Sequence, residues 1–235
     1  MKRRDFLGSC ALLSGMAAVV RADVAPPLGP VRRYARAVLV DEHGAPVRLT
    51  ALAPETNYVY PYPYESTPCF LLRLAAPVTP VASLRPEHGD PYASPAGVGP
   101  ARDVVSFSAI CAHKLAYPTR DVSFIRYQRS KSPTSTGRVI HCCADHSVYD
   151  PSAGARVVAG PAPQPLAAIA LEYDAGRDEI AAVGTVGAEQ FAPFFAKYAF
   201  KLTLEYGGLD RAQRAVAQTT VLREMTSYCR TTIEC

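Results

Sequence analysis

Short apolar runs separated by turn-forming residues dominate the chain from Tyr34 onward. The runs "RYARAVLV", "PVRLTAL", "CFLLRLAAPV", "DVVSFSAI" and "RVIHC" have the length and composition of β-strands. The segment "DEHGA" between the first two runs predicts a hairpin. The segment "LAAIALEYDAGRDEIAAVGTV" predicts a second hairpin that turns at Asp174–Asp178. Residues 78–101 are rich in proline and glycine and predict a loop.

Helical patterns appear only toward the C-terminus. The segment "GAEQFAPFFAKYAF" predicts a short helix. The segment "LDRAQRAVAQTTVLREMTSY" predicts a longer one, with Leu209, Val216 and Leu222 among its apolar positions. We therefore predict a mostly β fold with a helical C-terminal extension over residues 188–235.

The N-terminus has the pattern of an export signal. A basic start is followed by an apolar stretch of about 11–14 residues, which predicts a signal peptide over residues 1–25, too short for a secure membrane span. The segment "RRDFL" at residues 3–7 resembles a twin-arginine signal, which predicts a periplasmic location. An ordinary secretory signal with a basic start is the alternative. If the stretch is not cleaved, it would tether the protein to the membrane.

Composition narrows the choice of partners. Hydrophobic residues make up 49% and charged residues 20%, which is typical of a globular chain with a proper core, and the formal charge is only +4. No basic run interleaved with aromatic residues is present, so we expect no nucleic-acid partner.

The candidate chemistry lies in two pairs of cysteine and histidine. Cys111 with His113, and Cys143 with His146, each follow an apolar run, so each pair is expected on a loop at a strand end. A structural zinc site with two cysteines and two histidines is one interpretation. Each loop contributes one cysteine and one histidine. A cluster with two cysteines on one iron and two histidines on the other fits this arrangement better, because each loop then contacts both irons.

The pattern C-x-H, a spacer, C-x-x-H, an aromatic residue with aspartate, and finally G-P-A-P resembles the Rieske signature. The resemblance spans about residues 103–185 and implies a Rieske domain over residues 26–187, with an antiparallel β fold that includes a cluster-binding subdomain. It implies one 2Fe–2S cluster, with Cys111 and Cys143 on the buried iron and His113 and His146 on the exposed one.

The resemblance also implies roles around the ligands. Tyr149 matches a tyrosine that donates to a cysteine sulfur, and Ser147 a serine that donates to a bridging sulfide. The segment "GPAPQP" resembles the proline loop that shields the cluster. The family's disulfide between the two loops is absent, since Ala116 and Asp145 occupy its positions. Ser147 follows His146 by one residue, where the family has two.

The remaining cysteines leave alternatives open. Cys142 could replace Cys143 as a ligand, but only Cys143 completes C-x-x-H, so we expect Cys142 to face the other side of its strand as a small buried residue. Cys229 and Cys235 are candidates for a disulfide in an oxidising compartment, with Cys69 as another partner.

These observations predict an exported electron-transfer protein, or the small subunit of a periplasmic oxidoreductase, rather than an enzyme by itself. Its partner would be an oxidoreductase large subunit or a cytochrome. The alternative is the Rieske subunit of a quinol-oxidising cytochrome bc-type complex. Lys114 opposes that alternative, because it puts a charge where such proteins carry leucine against the quinol. A zinc-stabilised binding module is the second alternative.

Overall fold

The computed structural model describes residues 30–235, and the predicted signal peptide with its twin-arginine motif lies outside this range. The strands of the described part are β1 (Arg32–Val40), β2 (Tyr58–Pro61), β3 (Pro68–Arg73), β4 (Val104–Ser108), β5 (Val122–Ser123), β6 (Ile125–Gln128), β7 (Val139–Cys142), β8 (Ser147–Asp150), β9 (Arg156–Ala159), β10 (Ala168–Asp174), β11 (Glu179–Val186), β12 (Gln218–Val221), β13 (Arg223–Glu224) and β14 (Thr231–Thr232). The α-helices are α1 (Phe191–Tyr206), α2 (Leu209–Ala212) and α3 (Met225–Tyr228). Within residues 30–235 no helix is long and apolar enough to cross a membrane.

The larger sheet has eight strands and curls toward closure. Its order is β12-β1-β11-β10-β4-β3-β2-β13. The two edge strands, β12 and β13, are separated only by Leu222, so the chain itself joins the two edges. The Thr220 hydroxyl donates to the Pro61 carbonyl at 2.8 Å and holds β12 beside β2. The mostly β fold predicted from the sequence is confirmed.

Strand β3 shows why the apolar runs are continuous rather than alternating. Cys69 and Leu71 contribute to the core enclosed by the curled sheet, whereas Phe70 and Leu72 contribute to a second core on its outer face. Side chains alternate between the two faces of a strand, so a strand buried on both faces carries apolar residues at every position.

The smaller sheet covers this outer face and carries half of the candidate site. Its four strands are antiparallel in the order β6-β7-β8-β9. Ile125, Ile140 and Tyr149 pack from it onto Phe70 and Phe107 of the larger sheet. The turn between β7 and β8 and the loop after β4 therefore meet at one end of the shared core.

Helix α1 supports the loop after β4. The predicted short helix is confirmed and runs to Tyr206. Phe191, Phe194 and Leu202 pack with Ile110 and Tyr117, which flank that loop. The helix therefore anchors the loop from outside the sheet.

Two local predictions were wrong. The long helix predicted over residues 209–228 is replaced by α2, β12, β13 and α3, because the β-branched segment "QTTV" pairs in parallel with β1. Val216 and Leu222 are buried in the core of the curled sheet and not along a helix face. The strand predicted for "PVRLTAL" is also absent. The chain does turn back at "DEHGA", where Val40 pairs antiparallel with Pro46 and the Val47 N–H donates to the Leu39 carbonyl at 2.9 Å, but it then forms only isolated bridges and a 3₁₀ turn at Leu49–Ala51. The second hairpin is confirmed as β10 and β11.

Candidate metal centre

The first loop follows β4 and closes on itself. The Cys111 N–H donates to the Ala116 carbonyl at 2.9 Å, and the Leu115 N–H donates to the Cys111 carbonyl at 3.0 Å. These bonds form a tight turn over residues 111–116. Cys111 is fully buried at its base, whereas His113 and Lys114 are exposed.

The second loop is the four-residue turn between β7 and β8. The His146 N–H donates to the Cys142 carbonyl at 2.7 Å, and His146 has a left-handed backbone with φ of 59°. Side chains alternate along β7, so Ile140 and Cys142 face the core shared by the two sheets while His141 faces the other way. Cys142, at the end of this strand, is therefore directed toward the first loop.

Donors from both loops meet in one pocket. The Sγ atoms of Cys111 and Cys142 and a carboxylate oxygen of Asp145 all lie within 4.8 Å of one another. Asp145 Oδ2 is 3.5 Å from Cys111 Sγ and 2.8 Å from His113 Nδ1. The pocket thus gathers two thiols, an imidazole and a carboxylate.

Cys143 and His146, which the sequence pattern suggested as the second pair of donors, lie elsewhere. Cys143 forms a disulfide with Cys235, with a Cα–Cα distance of 5.7 Å. The His146 ring lies beside the His141 ring, with the centroids 5.7 Å apart. This geometry corrects the register assumed from C-x-x-H, because the end of β7 points Cys142 inward and the left-handed backbone at His146 turns its side chain away.

The cysteine pairing also differs from the candidate between Cys229 and Cys235. Cys235 pairs with Cys143, and Cys229 is a buried free thiol that donates to the Thr231 carbonyl at 3.0 Å. Cys69, the other candidate partner, is buried and free in the core.

A tyrosine hydroxyl is directed at one of the pocket sulfurs. Tyr149 is fully buried, and its hydroxyl oxygen lies 3.3 Å from Cys111 Sγ. The same oxygen accepts the Ala112 N–H at 3.1 Å, so the hydroxyl proton is left to donate to the sulfur. Tyr149 is therefore positioned to donate to the Cys111 sulfur.

The electrostatics favour a thiolate at Cys111. The neighbouring Cys142 thiol holds the pKa of Cys111 below its usual range, and the Tyr149 hydroxyl and the backbone N–H groups of His113 and Lys114 act in the same direction against burial. The interaction with Cys111 and burial raise the pKa of Cys142 well above its usual value. The pocket thus stabilises one negative charge, on the Cys111 sulfur.

The Asp145 carboxylate is held in a fixed orientation. Its side chain is only 4% exposed. Oδ1 accepts the Ser147 N–H at 2.9 Å, which leaves Oδ2 directed at the thiols and His113. Burial alone would raise the pKa of Asp145, but donation from Ser147 and His113 holds it below the usual value.

Ser147 carries an unused donor at the same place. It faces Cys142 across the β7–β8 ladder and is fully buried. Its hydroxyl has no hydrogen-bond partner among residues 30–235. An unpaired buried hydroxyl costs about 1–3 kcal/mol of stability. A bound group that accepts the Ser147 proton would remove this cost.

The segment "GPAP" lies directly against the second loop. Gly160 has φ of 84°, and a Cβ atom there would come within 2.6 Å of the Ser147 Cα and would also overlap the His146 carbonyl. Only glycine fits this contact. Ala162 then packs against the core below the pocket. The shielding of a cluster that the resemblance implies for this segment stays a prediction.

Sequence reasoning missed Cys142 and Asp145 as members of the pocket. The strand alternation of "VIHC" contained the signal for Cys142, because Ile140 and Cys142 share one face. Asp145 had a weaker signal. It stands two residues before Ser147, the spacing that the Rieske resemblance implies between a histidine ligand and the serine.

No protein-family model matches the chain. Among solved structures, the chain is similar to the soluble domain of the Rieske protein II (soxF) of Sulfolobus acidocaldarius. The sequence identity is 24% over 66% of this chain and 82% of that chain, and the TM-score is 0.47. The side-chain geometry of the two loops, and not this overall similarity, carries the functional proposal.

Proposed function

We propose that the protein transfers single electrons through one 2Fe–2S cluster held between the two loops, with Cys111, Cys142 and His113 among its ligands. One observation carries the proposal. Two buried thiols from separate strand-end loops meet where the hydroxyl of Tyr149 and the unpaired hydroxyl of Ser147 are both available to sulfur.

The donors around the thiols favour a cluster over a single zinc ion. A structural zinc site is closed by its four protein ligands and offers no inorganic sulfide to the surroundings. A bridging sulfide would accept the proton of the buried Ser147 hydroxyl, which has no partner among residues 30–235. The residues of the pocket therefore fit a sulfide-containing group.

The chain's own residues can support electron transfer at this position. A bound 2Fe–2S cluster accepts and releases one electron. The Tyr149 hydroxyl, the Ser147 hydroxyl and the loop N–H groups would stabilise the extra negative charge on sulfur in the reduced state. The pocket is buried on the Cys111 side, whereas His113, with 35% of its side chain exposed, gives it an edge at the surface.

The finer role that we propose is an exported carrier or the small subunit of a periplasmic oxidoreductase. The segment "RRDFL" supports export, and the exposed Lys114 next to His113 supports docking to an acidic protein partner. The alternative is a subunit of a quinol-oxidising cytochrome bc-type complex. Lys114 argues against it, because a quinol pocket would have to desolvate the ammonium group.

A redox titration of the purified chain tests the proposed function. We expect a reversible uptake of about one electron per chain, with loss of visible absorption on reduction. A chain that takes up no electrons within the range of about −700 to +450 mV known for iron–sulfur clusters would contradict the proposal.

The partner can be tested with a soluble quinol such as duroquinol as the reductant. We expect it to reduce the wild-type protein and Lys114→Leu at the same slow rate, since a protein and not a quinol is the natural partner. Lys131→Leu, which removes another exposed lysine, serves as the control. A marked acceleration in Lys114→Leu alone would support the quinol-oxidising alternative instead.

Replacement of Tyr149 by phenylalanine tests the hydrogen bond to Cys111. We expect Tyr149→Phe to lower the reduction potential, because the reduced state loses a donor that stabilises its extra negative charge. Iron content should not change, since the ring still fills the core. Voltammetry measures the potential, and an unchanged value would show that Tyr149 only packs.

A further inference from the structure

We infer that Asp145, and not His146, is the fourth protein ligand of the pocket, so that the cluster is held by two thiolates, one imidazole and one carboxylate. The inference rests on the proposed function. The iron outside the thiolate pair would then be bound by one nitrogen and one anionic oxygen, and not by two nitrogens.

The position of the carboxylate supports this assignment. Asp145 Oδ2 lies 3.5 Å from Cys111 Sγ and 2.8 Å from His113 Nδ1. A carboxylate this deeply buried needs charge compensation or a metal ion. Carboxylate oxygen is an established ligand for iron, often beside histidine.

The hydrogen bond to Asp145 Oδ1 orients the carboxylate for metal binding. The Ser147 N–H donates to Oδ1, and the other oxygen is the one that enters the pocket. Ligating carboxylates are commonly fixed by such outer hydrogen bonds.

His146 is held on the opposite side of the loop by four features of its surroundings. Its backbone is left-handed, and its N–H is bonded to the Cys142 carbonyl. Gly160 packs against its carbonyl. Its ring lies beside His141, in a group with Cys235 that is separate from the thiols of the pocket.

The Cys143–Cys235 disulfide fixes the same register. If Cys143 and His146 were the ligands, Cys143 would have to leave this bond and Cys142 would have to leave the core. The observed register leaves the disulfide intact and keeps Cys142 beside Cys111.

Counting the histidine nitrogens bound to the cluster tests the inference directly. The full chain would be produced with ¹⁵N only in histidine, reduced, and measured by pulsed electron paramagnetic resonance. We expect one strongly coupled nitrogen in the wild-type protein. His146→Ala should leave that coupling unchanged, whereas Asp145→His should add a second one and raise the reduction potential, because a neutral ligand replaces an anionic one.

The isosteric Asp145→Asn variant completes the design. We expect it to lose iron while its thermal unfolding without iron matches that of the iron-free wild-type protein, since the amide occupies the same space. Two coupled nitrogens in the wild-type protein, with one lost in His146→Ala, would overturn the inference and leave the proposed function standing. A protein that contains no iron and no sulfide would overturn both.

Discussion

Replacing Cys142 with serine should lower the iron content of the purified protein at least about tenfold relative to wild type, because even the loss of a group that only hydrogen-bonds to a metal ligand costs about 10–100-fold in metal affinity. Cys142 is fully buried beside Cys111 and supplies one of the two thiols of the pocket. A serine hydroxyl is a much poorer donor to iron than a thiolate. Metal analysis of the protein as isolated measures the effect.

The matched control is the neighbouring cysteine. We expect the double variant Cys143→Ser with Cys235→Ser to keep its iron, because both sulfurs are already occupied by the disulfide and neither faces Cys111. The double variant avoids a single unpaired thiol. Loss of iron in this variant with retention in Cys142→Ser would show that the register of the second loop is wrong.

The same double variant should lose about 2–4 kcal/mol of unfolding free energy, the range typical of a disulfide. The bond joins residues 92 positions apart and ties the C-terminus to the second loop, so it closes a long loop in the unfolded chain. Urea denaturation of the iron-free proteins measures the difference.

A reductant provides the control for this stability effect. Adding a dithiol should lower the stability of the wild-type protein to that of the double variant and leave the variant unchanged. Cys229→Ser, at a buried free thiol, should retain the sensitivity of the wild-type protein to the reductant. Equal wild-type stability with and without reductant would contradict the disulfide.

The elements that the sequence predicted well are those specified by neighbouring residues. The hairpin of β10 and β11 combines two apolar runs with a polar turn, and the first turns of α1 carry its buried phenylalanines. Cys111 and His113 were placed on a loop at a strand end because an apolar run leads directly into them. All of these signals lie within a short stretch of chain.

The features that the sequence did not predict depend on distant contacts or on backbone conformation. The "QTTV" segment becomes β12 because β1, far away in the chain, accepts it as a neighbour. The motif C-x-x-H favoured Cys143 and His146 as a linear pattern. The left-handed backbone of His146 and the bond from Cys143 to Cys235 cannot be deduced from such a pattern.

The composition of the metal centre is the most direct test of the proposed cluster. Iron, zinc and acid-labile sulfide would be measured on one sample of the full chain, followed by electron paramagnetic resonance after reduction. We expect about two irons and two sulfides per chain and a paramagnetic reduced state. About one zinc per chain without sulfide would contradict the proposed cluster and would favour a structural metal site.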